Sequence, residues 1–267
     1  MNGFTIVFTH TLKRCFRDLV GLLCLSLIPI VVVFLNTVLN LGNSDFSRNI
    51  LEVTGQDLTA SFVGPMMMIA FQFFCAAMLI EFLFDDLSGA RRWRLFAAPV
   101  SPRTFLLGTV VACWVYNIFH GLLTVLITTL VFDAYWGNIG VFIGVFLGIS
   151  VLSLLIGALV YLLTNKKGMA MTVMNVISFG FMIISNLFMN ELYIPVLSTV
   201  LEYINPINLG LKAIVASGVA FERFSDLMGP FAGGGMNDAL LNMGIIWIMV
   251  AVLVVLVLIL GRKRKPL

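Results

Sequence analysis

Six stretches of this chain are each long and apolar enough to cross a lipid bilayer, and nothing else in the sequence restricts the fold so strongly. A bilayer core takes roughly 20 apolar residues per helix. The stretches run about 19–40, 62–83, 105–132, 139–163, 169–189 and 242–261. The fourth holds no charged residue, and the second, FVGPMMMIAFQFFCAAMLI, has one polar interruption at Gln72. Hydrocarbon offers no water to an unpaired N–H or C=O, so each stretch must satisfy its own backbone. The expected fold class is an all-α integral membrane protein with six transmembrane helices in a single domain over 1–267. Only 11% of residues are charged, against about 25% in a soluble domain. With so few charges and a net +3, no basic surface for nucleic acid is available.

The basic residues set an orientation. Lys13, Arg14 and Arg17 precede span one, and Arg91, Arg92, Arg94 and Arg103 lie between spans two and three. Lys166 and Lys167 lie between four and five, and Arg262, Lys263, Arg264 and Lys265 follow span six. That is thirteen of the sixteen Lys and Arg residues on one side, leaving Arg48, Lys212 and Arg223 on the other. Both termini are expected to face the cytoplasm.

Before span one, Phe4, Phe8, Leu12, Cys15 and Leu19 recur at helical spacing, with Lys13, Arg14 and Arg17 mostly off that stripe. An N-terminal amphipathic helix lying in the interface is expected. The alternative is a lead-in whose charges only hold topology. No small-x-small site follows the apolar run, so a cleaved signal is not expected. The four cysteines, Cys15, Cys24, Cys75 and Cys113, form no CxxC pair and read as buried thiols.

Between spans five and six, LYIPVLSTVLEYINPINLGLKAIVASGVAF is too apolar for a plain loop, yet Pro195, Glu202, Pro206 and Lys212 forbid a clean span. Short helices that re-enter the membrane on the external side, broken at Asn205-Pro206, reconcile the two.

The chain lacks the phosphate-cradling GxxxxGK[ST], HExxH and GxSxG patterns and any metal-spaced His or Cys set. No catalytic or metal residue is assigned, and ATP hydrolysis is not expected here. Cys113, Asn117, His120, Thr124 and Thr128 form one polar stripe on span three. Such a stripe marks either a transport path or proton relay, or hydrogen bonding between helices. Gly140, Gly144 and Gly148 make a groove on span four for close helix approach. Span two presents Pro65, Met68, Gln72 and Cys75 on one face; span five presents Thr172, Asn175, Phe179, Met182 and Asn186. Both faces are either adaptable linings for apolar ligands or ordinary packing. Asp85 and Asp86 lack a nucleophile or metal partner, and ion pairing with the nearby arginines is expected.

The residues following span two carry a family likeness. Glu81, Asp85, Gly89, Leu95, then AAPVSPRTFLLG and Gly108, follow an acidic start, a glycine, a Leu-rich turn and Pro-x-Ser before the third helix. YINPINLGLKAI matches an Asn-Pro segment before the last span. Across essentially its whole length the chain resembles a type-2 ABC exporter permease. It departs from that pattern at Gly108-Thr109, where members often have Gly-Lys.

The resemblance implies a permease subunit without a nucleotide-binding domain or enzymatic activity of its own. Two permeases pair, as a homodimer or heterodimer, and receive cytoplasmic ABC ATPase subunits that bind ATP and Mg. The element after span two is similar to a coupling helix, which assigns ATPase contact to Asp85, Asp86, Arg91, Arg92, Trp93, Arg94, Leu95 and Phe96. Its composition fits: Trp93, Leu95 and Phe96 can anchor, the arginines can steer, and Pro99 and Pro102 stop the helix. A substrate path would be lined by spans one, two and five, with Asn36, Met68, Gln72, Asn175, Phe179, Met182 and Asn186 as candidates and Asn205 and Pro206 in the re-entrant segment. The Met and Phe residues lining these spans favour an amphipathic or apolar substrate, and a bacterial cell membrane and contacts with membrane lipids are expected. The competing readings are an ATP-independent transporter or channel and an intramembrane enzyme using His120.

Overall fold

The computed structural model of the protein describes residues 3–38, 59–89, 100–185, 204–218 and 235–263. These residues are overwhelmingly helical, and no strand occurs among them. α1 covers Gly3–Arg17 and α2 covers Leu19–Val38, with Asp18 between them. The Asp18 carboxylate accepts from the Gly21 N–H at 3.1 Å, so it caps the start of α2. α3 covers Thr59–Leu83 and runs straight on into a π-helical turn, Phe84–Ser88. α4 covers Pro102–Phe132. The Ser101 hydroxyl caps it by accepting from the Thr104 N–H at 3.2 Å, and proline takes the first helical position, where no N–H is needed. α4 ends at Asp133, in the left-handed region with φ 50°, whose N–H reaches back to the Thr128 carbonyl.

Asn138 then opens α5, Ile139–Leu163, by accepting from the N–H groups of Gly140 and Val141 at 2.9 and 3.4 Å. In the turn before it, Gly137 has φ +67°, and a Cβ there would collide with the Ile214 carbonyl. Only glycine satisfies both conditions. α6 covers Lys167–Ile184, α7 covers Pro206–Ala216 and α8 covers Met236–Lys263.

Six of these helices, α2 to α6 and α8, are long and apolar enough to cross a membrane, as the hydropathy pattern required. Their ends differ from the apolar runs by a few residues. α8 starts at Met236, six residues before the apolar run, because Asp238 sits in its first turn, where the helix dipole favours an acid. α6 ends at Ile184 rather than at 189. The α1 helix is present, as its stripe suggested, and packs along α4. In the 190–241 stretch the part described ahead of α8 holds the buried α7, started by Asn205 as cap and Pro206 as first residue. At about 1.5 Å per residue its 11 residues are too short to span a bilayer.

α3 is the axis of the bundle. It packs against α2, α4, α5, α6 and α7. Of the residues in its apolar stretch 83% are buried, against 22% for α2, 17% for α6 and 11% for α8. Its interior is large and soft: Met67, Met68, Phe73 and Leu79 are all fully buried. The glycine groove on α5 is used within the chain. Gly144 and Gly148 receive Met243, Ile246 and Trp247 of α8, while Gly140 faces only its own cap. On the other side of α5, Gly157 backs onto Ala76 of α3, whose Cβ and carbonyl lie 3.1 Å from where a side chain would start.

Candidate functional site

Two polar regions lie along α3. The first is at the end that leads into residues 90–99. There the π turn supplies Asp85 and Asp86, and Glu81 stands one turn earlier. Arg14 of α1 reaches across with both arms, Nη2 to Asp85 at 2.9 Å and Nη1 to Asp86 at 3.0 Å. Its guanidinium also sits 4.2 Å from the centre of the Phe82 ring, a favourable cation–π position. Lys167, the first residue of α6, bonds to Glu81 and Asp85, both at 2.8 Å. Asp85 therefore joins α1 and α6 to α3 at one point. A planar guanidinium facing two carboxylates fixes orientation better than a point charge does.

The acidic pair was expected to find arginines close in sequence. Arg14 and Lys167, which pair with it, come from 71 to 82 residues away. Arg91, Arg92, Trp93, Arg94, Leu95 and Phe96 lie outside the described residues. Arg14 and Lys167 were not singled out by sequence reasoning as partners of the pair. The signal available was that each sits at the end of a helix on the basic side.

The second region is halfway along the bundle. The stripe of α4 is buried throughout: Cys113, Asn117, His120, Thr124 and Thr128 are each less than 5% exposed. Asn117 donates to the Ser153 hydroxyl of α5 at 3.2 Å and to the Gln72 backbone carbonyl of α3 at 3.4 Å. His120 Nδ1 shares a hydrogen bond of 2.5 Å with the Ser26 hydroxyl of α2. Thr124 and Thr128 donate to carbonyls of their own helix. Trp114, next to the stripe, donates to Ser150 of α5 at 2.9 Å. The stripe thus contacts three other helices, α2, α3 and α5, through neutral groups.

The candidate path residues separate within one protomer. Met68 and Gln72 are buried inside it. Asn175 and Phe179 lie on the exposed face of α6, with Phe179 resting edge-on against Phe74 at 4.8 Å and Met182 half-buried nearby. Asn36 of α2 is half-buried, and its amide donates to the Val32 carbonyl of its own helix at 2.8 Å. Asn186 lies outside the described residues. Asn205 ties α7 to α6, its amide donating to the Phe181 carbonyl at 2.9 Å. Among the described residues no group of three His, Cys, Asp or Glu is placed to hold a metal.

The family described as ABC-2 family transporter protein matches residues 42–259. The chain belongs to that family. It is a multi-pass membrane protein and a membrane component of the ABC-2 transporter type, a transport subunit rather than a catalytic one. No curated protein matches it in sequence. Within an ABC-2 subunit, the joint formed by Arg14, Asp85 and Lys167 gains meaning from its place, since it sits where a spanning helix passes into a basic connection.

Proposed function

We propose that this chain is the permease of an ATP-driven exporter and that the end of α3 is its input for force. Two copies, or this chain and a related one, pair in a bacterial cytoplasmic membrane with both termini inside. Separate cytoplasmic ATPase subunits bind ATP and Mg and grip residues 90–97 through Trp93, Leu95 and Phe96, with Arg91, Arg92 and Arg94 matching acidic groups on the partner. The observation that carries this reading is the ion-paired joint at the last turns of α3. A push on the segment after Gly89 meets Asp85 and Asp86 first, and these are tied to α1 by Arg14 and to α6 by Lys167. Three helices therefore take the load together.

In this reading the substrate is amphipathic or apolar and moves between the two permease copies. The exposed faces of α2 and α6, with Asn36, Asn175, Phe179 and Met182, supply the lining, and the α7 segment around Asn205 and Pro206 dips into the membrane at the far end. The experiment is co-purification of the full chain with its ATPase in mild detergent. Trp93→Ala combined with Arg94→Ala is expected to weaken ATPase capture by roughly tenfold or more, as loss of a central aromatic–arginine anchor does. Capture and export at the unaltered level would overturn the proposal.

A further inference from the structure

Midway along the bundle there are polar atoms that the helices do not use. Gln72 Oε1 and Nε2, Asn117 Oδ1 and His120 Nε2 are buried and have no hydrogen-bond partner among the described residues. Gln72, Asn117 and His120 are 2%, 1% and 4% exposed. They line one niche, together with the apolar Leu25, Met68 and Phe71. The niche has room for a single water-sized group. Gly121 keeps it open: a Cβ there would run into the Phe146 ring on one side and lie 3.2 Å from Gln72 Nε2 on the other.

The remaining polar atoms of the three residues are committed elsewhere. Asn117 Nδ2 is engaged by Ser153 and the Gln72 carbonyl, and His120 Nδ1 by Ser26. The niche therefore presents an amide donor, two amide acceptors and one ring nitrogen. No charged side chain lines it, so an ion would find no countercharge. A buried polar group without a partner is costly, and a site of this size with several polar walls suits a small group making about three hydrogen bonds.

We propose that the niche binds one neutral hydroxyl group, carried by water or by a membrane-embedded alcohol. Its oxygen accepts from Gln72 Nε2 and its hydrogen goes to His120 Nε2; when the group is water, the second hydrogen goes to Asn117 Oδ1. Leu25, Met68 and Phe71 give the alkyl part of an alcohol its apolar contact.

The chain's two histidines make the test direct. His10 is exposed on α1, so His10→Asn leaves His120 as the single imidazole without disturbing the bundle. The full chain, labelled with nitrogen-15 histidine, is placed in phosphatidylcholine bilayers with and without 1-decanol and measured by solid-state NMR. The expected result is a hydrogen-bonded Nε2 resonance. Magnetisation reaching it from water protons in plain bilayers assigns the hydroxyl to water. Magnetisation from the alkyl protons of 1-decanol assigns it to the alcohol. In Gln72→Leu the Nε2 signal is expected to lose its hydrogen-bonded shift while the Nδ1 signal, held by Ser26, stays in place and reports an intact fold. A free Nε2 in both bilayers would overturn the proposal.

Discussion

α3 carries polar side chains at two depths, and the bundle treats them in opposite ways. At its end, the acidic Glu81 and Asp85 are partly exposed, Asp86 is buried, and all three are matched by Arg14 and Lys167. At its middle, Gln72 meets Asn117 and His120 in a neutral, buried group with spare hydrogen-bonding capacity. The difference follows from the solvent each depth provides. Charge is tolerable where water and headgroups share the cost, and far less so in hydrocarbon. A joint that transmits force gains from charged contacts with defined orientation. A site that takes up and releases a neutral ligand gains from groups that are not already saturated.

The sharpest way to break this contrast is to put a charge at the wrong depth. Ser153 is fully buried and accepts from Asn117. Ser153→Asp is expected to destabilise the protein by about 2.5–3.5 kcal/mol, the cost of a carboxylate at mid-membrane. Burial raises that carboxyl's affinity for a proton in the folded state above its unfolded value. The protonated, neutral form therefore limits the loss at low pH, and the loss grows as pH rises. Thermal unfolding in detergent across pH measures both effects. A loss that shrank with rising pH would contradict the stated depth.

Next in size is the ion-paired joint. A double-mutant cycle on Arg14 and Asp86, using Arg14→Leu and Asp86→Leu, is expected to give a coupling of about 1 kcal/mol that falls as salt is raised. Coupling that ignored salt would mean that packing on Phe82, not charge, holds Arg14. The smallest expected effect belongs to the neutral layer. The Asn117–Ser153 hydrogen bond should couple by about 0.6 kcal/mol, as neutral bonds between membrane helices do, with no salt dependence. A cycle with Asn117→Val and Ser153→Ala measures it.

Much of this architecture could be read from the residues, and the reasons for the gaps are physical. Run length alone locates a spanning helix, so all six emerged. Their ends did not, because a helix continues past the hydrocarbon wherever its first turn carries a residue such as Asp238. The stripe from Cys113 to Thr128 was visible because helical periodicity defines a face. Periodicity does not name the helix opposite, so Ser26, Ser153 and the Gln72 carbonyl emerged as the stripe's partners only from the packing. The same gap separates Met68 and Gln72 from Asn175 and Phe179. Each pair shares a face with its neighbours in sequence, yet one face is internal and the other exposed. For Asp85 and Asp86, Arg14 and Lys167 arrive through the topology of the bundle, which proximity along the chain does not reveal.

The π turn at Phe84–Ser88 has a further consequence, in the angular bookkeeping of the chain. A π turn closes its hydrogen bonds over one more residue than an α turn. Each residue of an α-helix advances the chain by about 100°. Winding 84–88 as an α-helix with no residue removed would turn the exit at Gly89 further by about that angle, because the π turn absorbs a residue that an α turn would add to the rotation, with the spanning part of α3 unchanged. The direction in which the chain leaves the bundle at Gly89 is thus a phase, set by a single surplus residue.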